Sequence, residues 1–320
     1  MNNDGTICRI ESKDVYVIDD KHRREIRCSM RGKFKKEFNL KKDKLFQTDI
    51  AVVGDRVIFS HNADGTGVIH TIQKRGNYLS RKAPRIKGAS YRGQRLEQIV
   101  ASNIDNFFII SSFSQPNFNN KAIDRFLVTG ESSHLNTVIV INKIDLDFDD
   151  ELPPWSQLYE EIGYTVVNTS AKTKIGIDNL RLLIRGKTNL FWGHSGVGKS
   201  SLLNALYSNL DLAIGEISTA TQKGKHTTVT VSMLEPEPGT FIIDTPGIRE
   251  IDPYGIRKED LSHYFLEFKE FIPLCKYNSC THNHEPDCGV INAVESGKIS
   301  EIRYDSYLRI LETIEDDLYF

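Results

Sequence analysis

The sequence predicts a multi-domain chain: an N-terminal β-barrel of OB type, a central doubly wound α/β domain, and a helical, metal-stapled C-terminal region. Three observations carry this expectation. Short β-branched runs crowd the first seventy residues with no convincing helix between them. From about residue 98, continuous apolar runs alternate with amphipathic stretches. Three of the five cysteines fall between residues 275 and 288. The expected boundaries are 1–75 for the barrel, 76–97 for a basic linker, 98–252 for the α/β domain and 253–320 for the zinc-binding helical domain.

In the barrel, Thr6–Glu11, Val15–Ile18, Glu25–Met30, Val52–Phe59 and Val68–Ile72 read as strands, with turn signals at Asp19–Asp20, Gly54–Asp55 and Asp64–Gly65. Residues 1–100 carry 22 Lys and Arg against 12 Asp and Glu, while the remainder of the chain is acidic. That asymmetry suits a polyanion partner for the first part, with Lys33, Lys35, Lys36, Lys41, Lys42 and Lys44 as one candidate loop. Phe34, Phe38 and Phe46 interleave with those lysines, and core packing is their commoner fate. Cys8 and Cys28 sit in apolar strand patterns as small core residues. Residues 75–95 are basic and weakly apolar, as in a linker or loop.

In the α/β domain, Asn106–Ser111 and Thr137–Ile141 read as buried parallel strands, with a helix around Asn120–Ser133 between them. A helix then follows Pro153–Pro154, and a strand ends at Val167. Helix Ile177–Arg185, strand Thr188–Trp192, a helix opening at Lys199, and strands Val229–Leu234 and Thr240–Ile243 complete the series. Beyond it, Ile256–Ile272 reads as helical, and one or two short helices follow Cys288 through Ile314.

The residues Gly193, His194, Ser195, Gly196, Val197, Gly198, Lys199 and Ser200, with Ser201 behind them, fit the phosphate-loop pattern between a strand and a helix. The glycines allow backbone N–H groups to turn around a phosphate, Lys199 reaches the β- and γ-phosphates, and Ser200 offers Mg²⁺ a hydroxyl. Asn142, Lys143, Ile144 and Asp145 follow a strand. There Asp145 can accept from the two N–H donors of guanine, which adenine lacks, and Lys143 can lay its stem on the purine face. Ser170, Ala171 and Lys172 follow the next strand and offer a backbone N–H to the guanine carbonyl oxygen. Asp244 and Gly247 supply a D-x-x-G turn, for Mg²⁺ through water and for the γ-phosphate respectively. Thr227 and Thr228 both stand as candidate switch ligands to the metal. The combination favours GTP over ATP. Both base loops precede the phosphate loop, the reverse of the usual order, which an open sheet permits because its pocket depends on strand ends rather than chain order.

This permuted order, flanked by the barrel and the cysteine-rich tail, resembles the ribosome small subunit-dependent GTPase A family across nearly the whole chain. The resemblance implies a cytoplasmic GTPase that binds the small ribosomal subunit late in its maturation and is stimulated by it. Cytoplasmic residence also fits the odd cysteine count, a start (MNNDGTICRI) without an export pattern, and the absence of an eighteen-residue apolar run. Ile248 occupies the position where many GTPases carry a water-orienting glutamine, so intrinsic hydrolysis should be slow. His226 is the candidate catalytic residue beside Lys199, and it matches a switch histidine of the family.

In the tail, Cys275, Cys280, His282 and Cys288 form a Cys₃His set suited to tetrahedral Zn²⁺, with spacing and the family likeness favouring His282 over His284. The cofactors expected are GTP or GDP, Mg²⁺ and one structural Zn²⁺. A monomer without membrane contact is expected, with the small subunit and its rRNA as partners. The competing reading is a nucleotide-gated RNA-binding module whose hydrolysis is incidental.

Overall fold

The structure, a computed structural model, describes residues 2–11, 14–32, 50–83, 97–147, 152–208, 210, 231–245 and 254–314. Strands β1 (Asn3–Glu11), β2 (Asp14–Asp19), β3 (Glu25–Met30), β4 (Arg56–His61) and β5 (Gly67–Ile72) pair in the order β1-β2-β3-β5-β4. β4 then returns to β1, so the five strands close into a barrel. Alternation along the strands turns Ile7, Val15, Val17, Val57, Phe59 and Ile69 into a dry interior. Cys8 and Cys28 are both buried and unbridged.

Two sequence expectations need correction here. The run 52–59 is not one strand, because the buried Asp55 carboxylate takes the backbone N–H of Val52 at 2.9 Å and ties off a turn at Gly54, whose φ is +92°. Asp55 also accepts from Ser102 Oγ and from Arg75 Nε, each at 2.7 Å. The stretch read as a basic linker in fact opens with β6 (Tyr78–Lys82), paired antiparallel with β7 (Glu97–Ser102). One residue hid this strand: Leu79 is its fully buried member, too sparse an apolar signal among basic neighbours. The lysine-rich segment 33–49, with Phe34, Phe38 and Phe46, and the connection 84–96 lie outside the described residues.

The α/β domain contains β8 (Asn106–Ser112), α1 (Asn120–Ser132), β9 (Asn136–Asn142), α2 (Leu152–Ile162), β10 (Thr165–Asn168), α3 (Ile177–Ile184), β11 (Thr188–Trp192), α4 (Lys199–Leu206), β12 (Ser232–Glu237) and β13 (Thr240–Asp244). Its sheet order is β10-β9-β8-β11-β13-β12, parallel except for the antiparallel edge strand β12. Successive residues of β8 serve opposite faces. Phe107 and Ile109 pack with Ile123, Phe126 and Leu127 of α1, whereas Phe108 and Ile110 pack on the side of Leu180 from α3 and Leu202 from α4. Pro153 and Pro154 sit in the first turn of α2, where a missing N–H costs little. β1 also pairs with β12, through Arg9 opposite Ser232, so barrel and α/β domain share one continuous sheet.

The tail departs from its expected helix. Over residues 261–274 the chain makes three short 3₁₀ turns, Leu261–Tyr264, Leu266–Phe268 and Ile272–Leu274. Phe265 is extended at φ −103° and ψ 107°, and Pro273 removes a donor at the start of the last turn. Leu261, Phe265 and Phe268 keep a helix-like spacing because all three are buried, which is what misleads a periodicity reading. Helices α5 (Gly289–Glu295) and α6 (Glu301–Thr313) close a compact core with Val290, Ala293, Tyr307 and Ile310. No helix among the described residues is long and apolar enough to cross a membrane.

Arg303 of α6 fastens this tail to the α/β domain. Fully buried, it pairs with Asp124 of α1, and its Nε donates to Glu267 Oε1 at 2.6 Å. Burial works against the guanidinium charge, but Asp124 and Glu267 outweigh it and hold Arg303 well above its ordinary range. Tyr159 of α2 donates its hydroxyl to Asp124 Oδ1 at 2.8 Å.

Candidate functional site

Parallel strands bring their carboxyl ends to one sheet edge, which is where open α/β sheets bind ligands. Here β9, β10, β11 and β13 deliver all four candidate loops to that edge. From the end of β11 into the first turn of α4 runs Gly193–Ser200, with Gly196 at φ +85° and Gly198 at φ +94°. A side chain at Gly193 would strike the carbonyl oxygen of Ile110, and one at Gly198 the amide of Asn142. The loop therefore needs glycine for close approach as well as for conformation. His194 packs its ring 5.5 Å from that of Phe126, which anchors the loop against α1. Val197 is buried, and Ser200 and Ser201 lie in the first turn of α4.

Lys199 donates to the carbonyl of Gly193 at 2.7 Å, closing the loop on itself. Burial lowers the pKa of Lys199, and neighbouring Asp244 opposes that shift. Burial likewise raises the pKa of Asp244, against the pull of Lys199 and of the Thr245 backbone. Asp244 Oδ1 is buried and makes no hydrogen bond among the described residues. An orphaned buried carboxylate oxygen at the end of β13, with the Ser200 hydroxyl in the first turn of α4, supplies the kind of hard oxygen donors that fit Mg²⁺ and its waters.

The base loops are tied to the phosphate loop. Asn142, at the end of β9, donates to the carbonyl of Val197 at 3.0 Å, and its oxygen accepts from the backbone of Ala171 at 3.2 Å. One amide thus bridges three of the four loops. Lys143 adopts φ +63°, and its ammonium donates to the carbonyls of Gly196, at 2.7 Å, and Gln115. Ile144 and Asp145 start a short 3₁₀ turn. Ser170 Oγ donates to Asp145 Oδ1 at 2.6 Å, and Lys172 Nζ stands 3.9 Å from Oδ2. The carboxylate that sequence assigns to guanine is therefore oriented before any base arrives. Sequence reasoning missed Thr169, buried behind Asn142 with its hydroxyl 3.4 Å from the amide oxygen, and Gln115; neither belongs to a recognisable motif. His226, Thr227, Thr228, Ile248 and Gly247 lie outside the described residues.

In the tail, Cys275, Cys280, His282 and Cys288 bring four ligand atoms together. Cys288 Sγ lies 3.8 Å from Cys275 Sγ, 3.6 Å from Cys280 Sγ and 3.3 Å from His282 Nδ1. A tetrahedron with Zn–S bonds of about 2.3 Å has sulfur–sulfur edges of about 3.8 Å, so these donors fit a zinc ion. His284 is exposed and outside the cluster. Tyr304 donates to the carbonyl of His282 at 2.7 Å, and the N–H of Ile291 points at Cys288 Sγ from 3.4 Å, contacts that hold the donors in place.

Base loops that precede the phosphate loop along the chain, yet meet it at one sheet edge, define a circularly permuted P-loop GTPase. The sequence pattern of the RsgA GTPase family matches residues 72–254, and the chain belongs to that family and is a GTP hydrolase. It is 41% identical over 273 residues to the Small ribosomal subunit biogenesis GTPase RsgA of Chlorobaculum parvum, covering 84% of this chain and 87% of that one. A protein of Bacteroides thetaiotaomicron with the same description, RsgA 2, is 38% identical over 322 residues and covers 100% and 97%. Among solved structures, YjeQ from Thermotoga maritima superposes with a TM-score of 0.75 at 33% identity, covering 98% of each chain. YloQ, described as a circularly permuted GTPase, gives 0.72 at 28% identity over 100% and 97%.

Proposed function

We propose that this GTPase acts in late maturation of the small ribosomal subunit, that the subunit stimulates its hydrolysis, and that the barrel and tail contact rRNA in the cytoplasm. The observation that carries this reading is that relatives bearing small-subunit biogenesis in their names align across barrel, nucleotide domain and tail together. The excess of basic residues in the first hundred positions supports contact with a polyanion. A GTPase with Ile248 in place of a water-orienting glutamine also needs help from a partner.

Within the site, backbone N–H groups of 193–200 and Lys199 hold the phosphates, and Asp145, a backbone N–H of the loop formed by Ser170, Ala171 and Lys172, and Lys143 select guanine. Gly247 donates to the γ-phosphate. Ser200, one of Thr227 or Thr228, and Asp244 through water would hold Mg²⁺, which would supply positive charge against the phosphates. His226 orients the attacking water. Cys275, Cys280, His282 and Cys288 would hold Zn²⁺ in a structural role, since protein would supply all four ligands.

GTP turnover measured with and without purified small subunits tests this reading. Stimulation is expected; slow turnover unaffected by subunits overturns it and leaves an RNA-binding module with incidental hydrolysis. In the same assay His226→Ala is expected to keep GTP affinity and lose about 100-fold of the stimulated kcat. An unchanged stimulated kcat removes His226 from the mechanism. For the tail, Cys288→Ser is expected to lower the zinc content and the Tm of the full chain, and full zinc retention refutes that assignment.

A further inference from the structure

At the rim of the barrel, away from the nucleotide loops and the cysteine cluster, three side chains meet at one oxygen. Asp19 ends β2 and is fully buried. Its Oδ1 takes the backbone N–H groups of Lys21 at 2.9 Å and His22 at 3.3 Å, an Asx turn that fixes the carboxylate from behind. Two imidazoles address the other oxygen: His22 Nδ1 lies 2.8 Å from Oδ2 and His61 Nε2 3.2 Å from it. Burial opposes the Asp19 charge, yet His22, the backbone of Lys21 and His22, and His61 outweigh it, bringing the carboxyl down to about 2.

A charged turn would be served by one imidazole. A second, from a strand end 42 residues away, completes a His₂Asp set whose donor atoms all lie within 4.8 Å of one another. Bonds of about 2.1 Å to a tetrahedral ion place ligand atoms about 3.4 Å apart. The side chains of His22 and His61 are 45% and 28% exposed, so both rings have room on the solvent side to adjust around an ion. Two imidazoles with one carboxylate suit borderline ions and not Mg²⁺ or Ca²⁺, which prefer oxygen. The backbone-anchored Asp19 is the kind of outer support that metal ligands ordinarily have.

We propose that Asp19, His22 and His61 form a further binding site for a divalent cation of the zinc class, with a coordination position open to solvent. The same turn carries Arg23, which pairs with Glu235 of β12 and lies 5.4 Å over the ring of Phe241 in β13. An ion here pins the turn that fastens the barrel to the nucleotide domain.

The test titrates Zn²⁺ into the full chain after mild chelation that leaves the cysteine cluster loaded, following uptake by calorimetry and metal analysis. Wild type is expected to take up one additional, labile equivalent that raises its Tm. His22→Ala or His61→Ala should weaken that uptake about tenfold or more, and the double change to glutamine, which keeps amide donors toward Asp19, should abolish it. GDP affinity, unchanged in these variants, shows that they fold. Co²⁺ in the labile site should give a spectrum without thiolate charge-transfer bands. No labile equivalent in wild type, or one that survives the double glutamine change, overturns the proposal.

Discussion

Asp145→Asn is expected to weaken GTP binding by roughly 10²–10³-fold while raising affinity for xanthosine triphosphate. The carboxylate accepts from both N–H donors on the guanine edge, and asparagine replaces one acceptor with a donor that faces another donor. Xanthine carries a carbonyl where guanine carries its amino group, so the new amide finds a partner. The substitution is nearly isosteric, and the Ser170 hydroxyl, now 2.6 Å from Asp145 Oδ1, can donate equally well to the amide oxygen. Loss of affinity therefore reports base recognition rather than collapse of the loop. Equilibrium binding of labelled GTP with GTP, ATP and xanthosine triphosphate as competitors measures it. An unaltered preference for GTP would sink the assignment of Asn142–Asp145 to the base.

A second large effect is expected at Arg303, which joins the tail to α1. Arg303→Ala leaves Asp124 and Glu267 as buried carboxylates without their cation, a change that typically costs about 3–5 kcal/mol. The Tm of the unit that melts should fall by about 10 °C. Arg303→Lys should fall between the two, because an ammonium keeps the charge but cannot reproduce the guanidinium fork that reaches both carboxylates. Thermal melts of the three proteins at one pH check the order. An alanine variant as stable as wild type would show that the carboxylates find other partners or water.

The nucleotide loops were the most legible part of the sequence, because strand–loop–helix context and residue chemistry point the same way there. Strand Thr188–Trp192 coincides with β11, since it ends in the apolar run Leu190, Phe191 and Trp192 closed by glycine. Legibility fails where tertiary contacts decide. The Asp55 turn that splits the run 52–59 depends on Ser102 and Arg75, which lie outside the local window. The spacing of Leu261, Phe265 and Phe268 fits a helix, and only packing against Tyr307 shows why the backbone extends at Phe265. Arg303 left a faint trace, a charge one turn before the buried Tyr307 on an otherwise apolar face of α6, but its partners stand 36 and 179 residues away. Asp19 with His22 and His61 left less still, because the two histidines belong to different strand ends.

The rung between Arg9 and Ser232 also bears on the solubility of shortened chains. With the barrel present, β1 meets β12 at Ser232, and Cys8 and Ile18 join the same apolar cluster as Met233 and Ile243. A chain that began after residue 76 would remove that rung from β12 and bare the greasy flank. An open strand of this kind recruits other strands, so excising the barrel trades a folded partner for self-association.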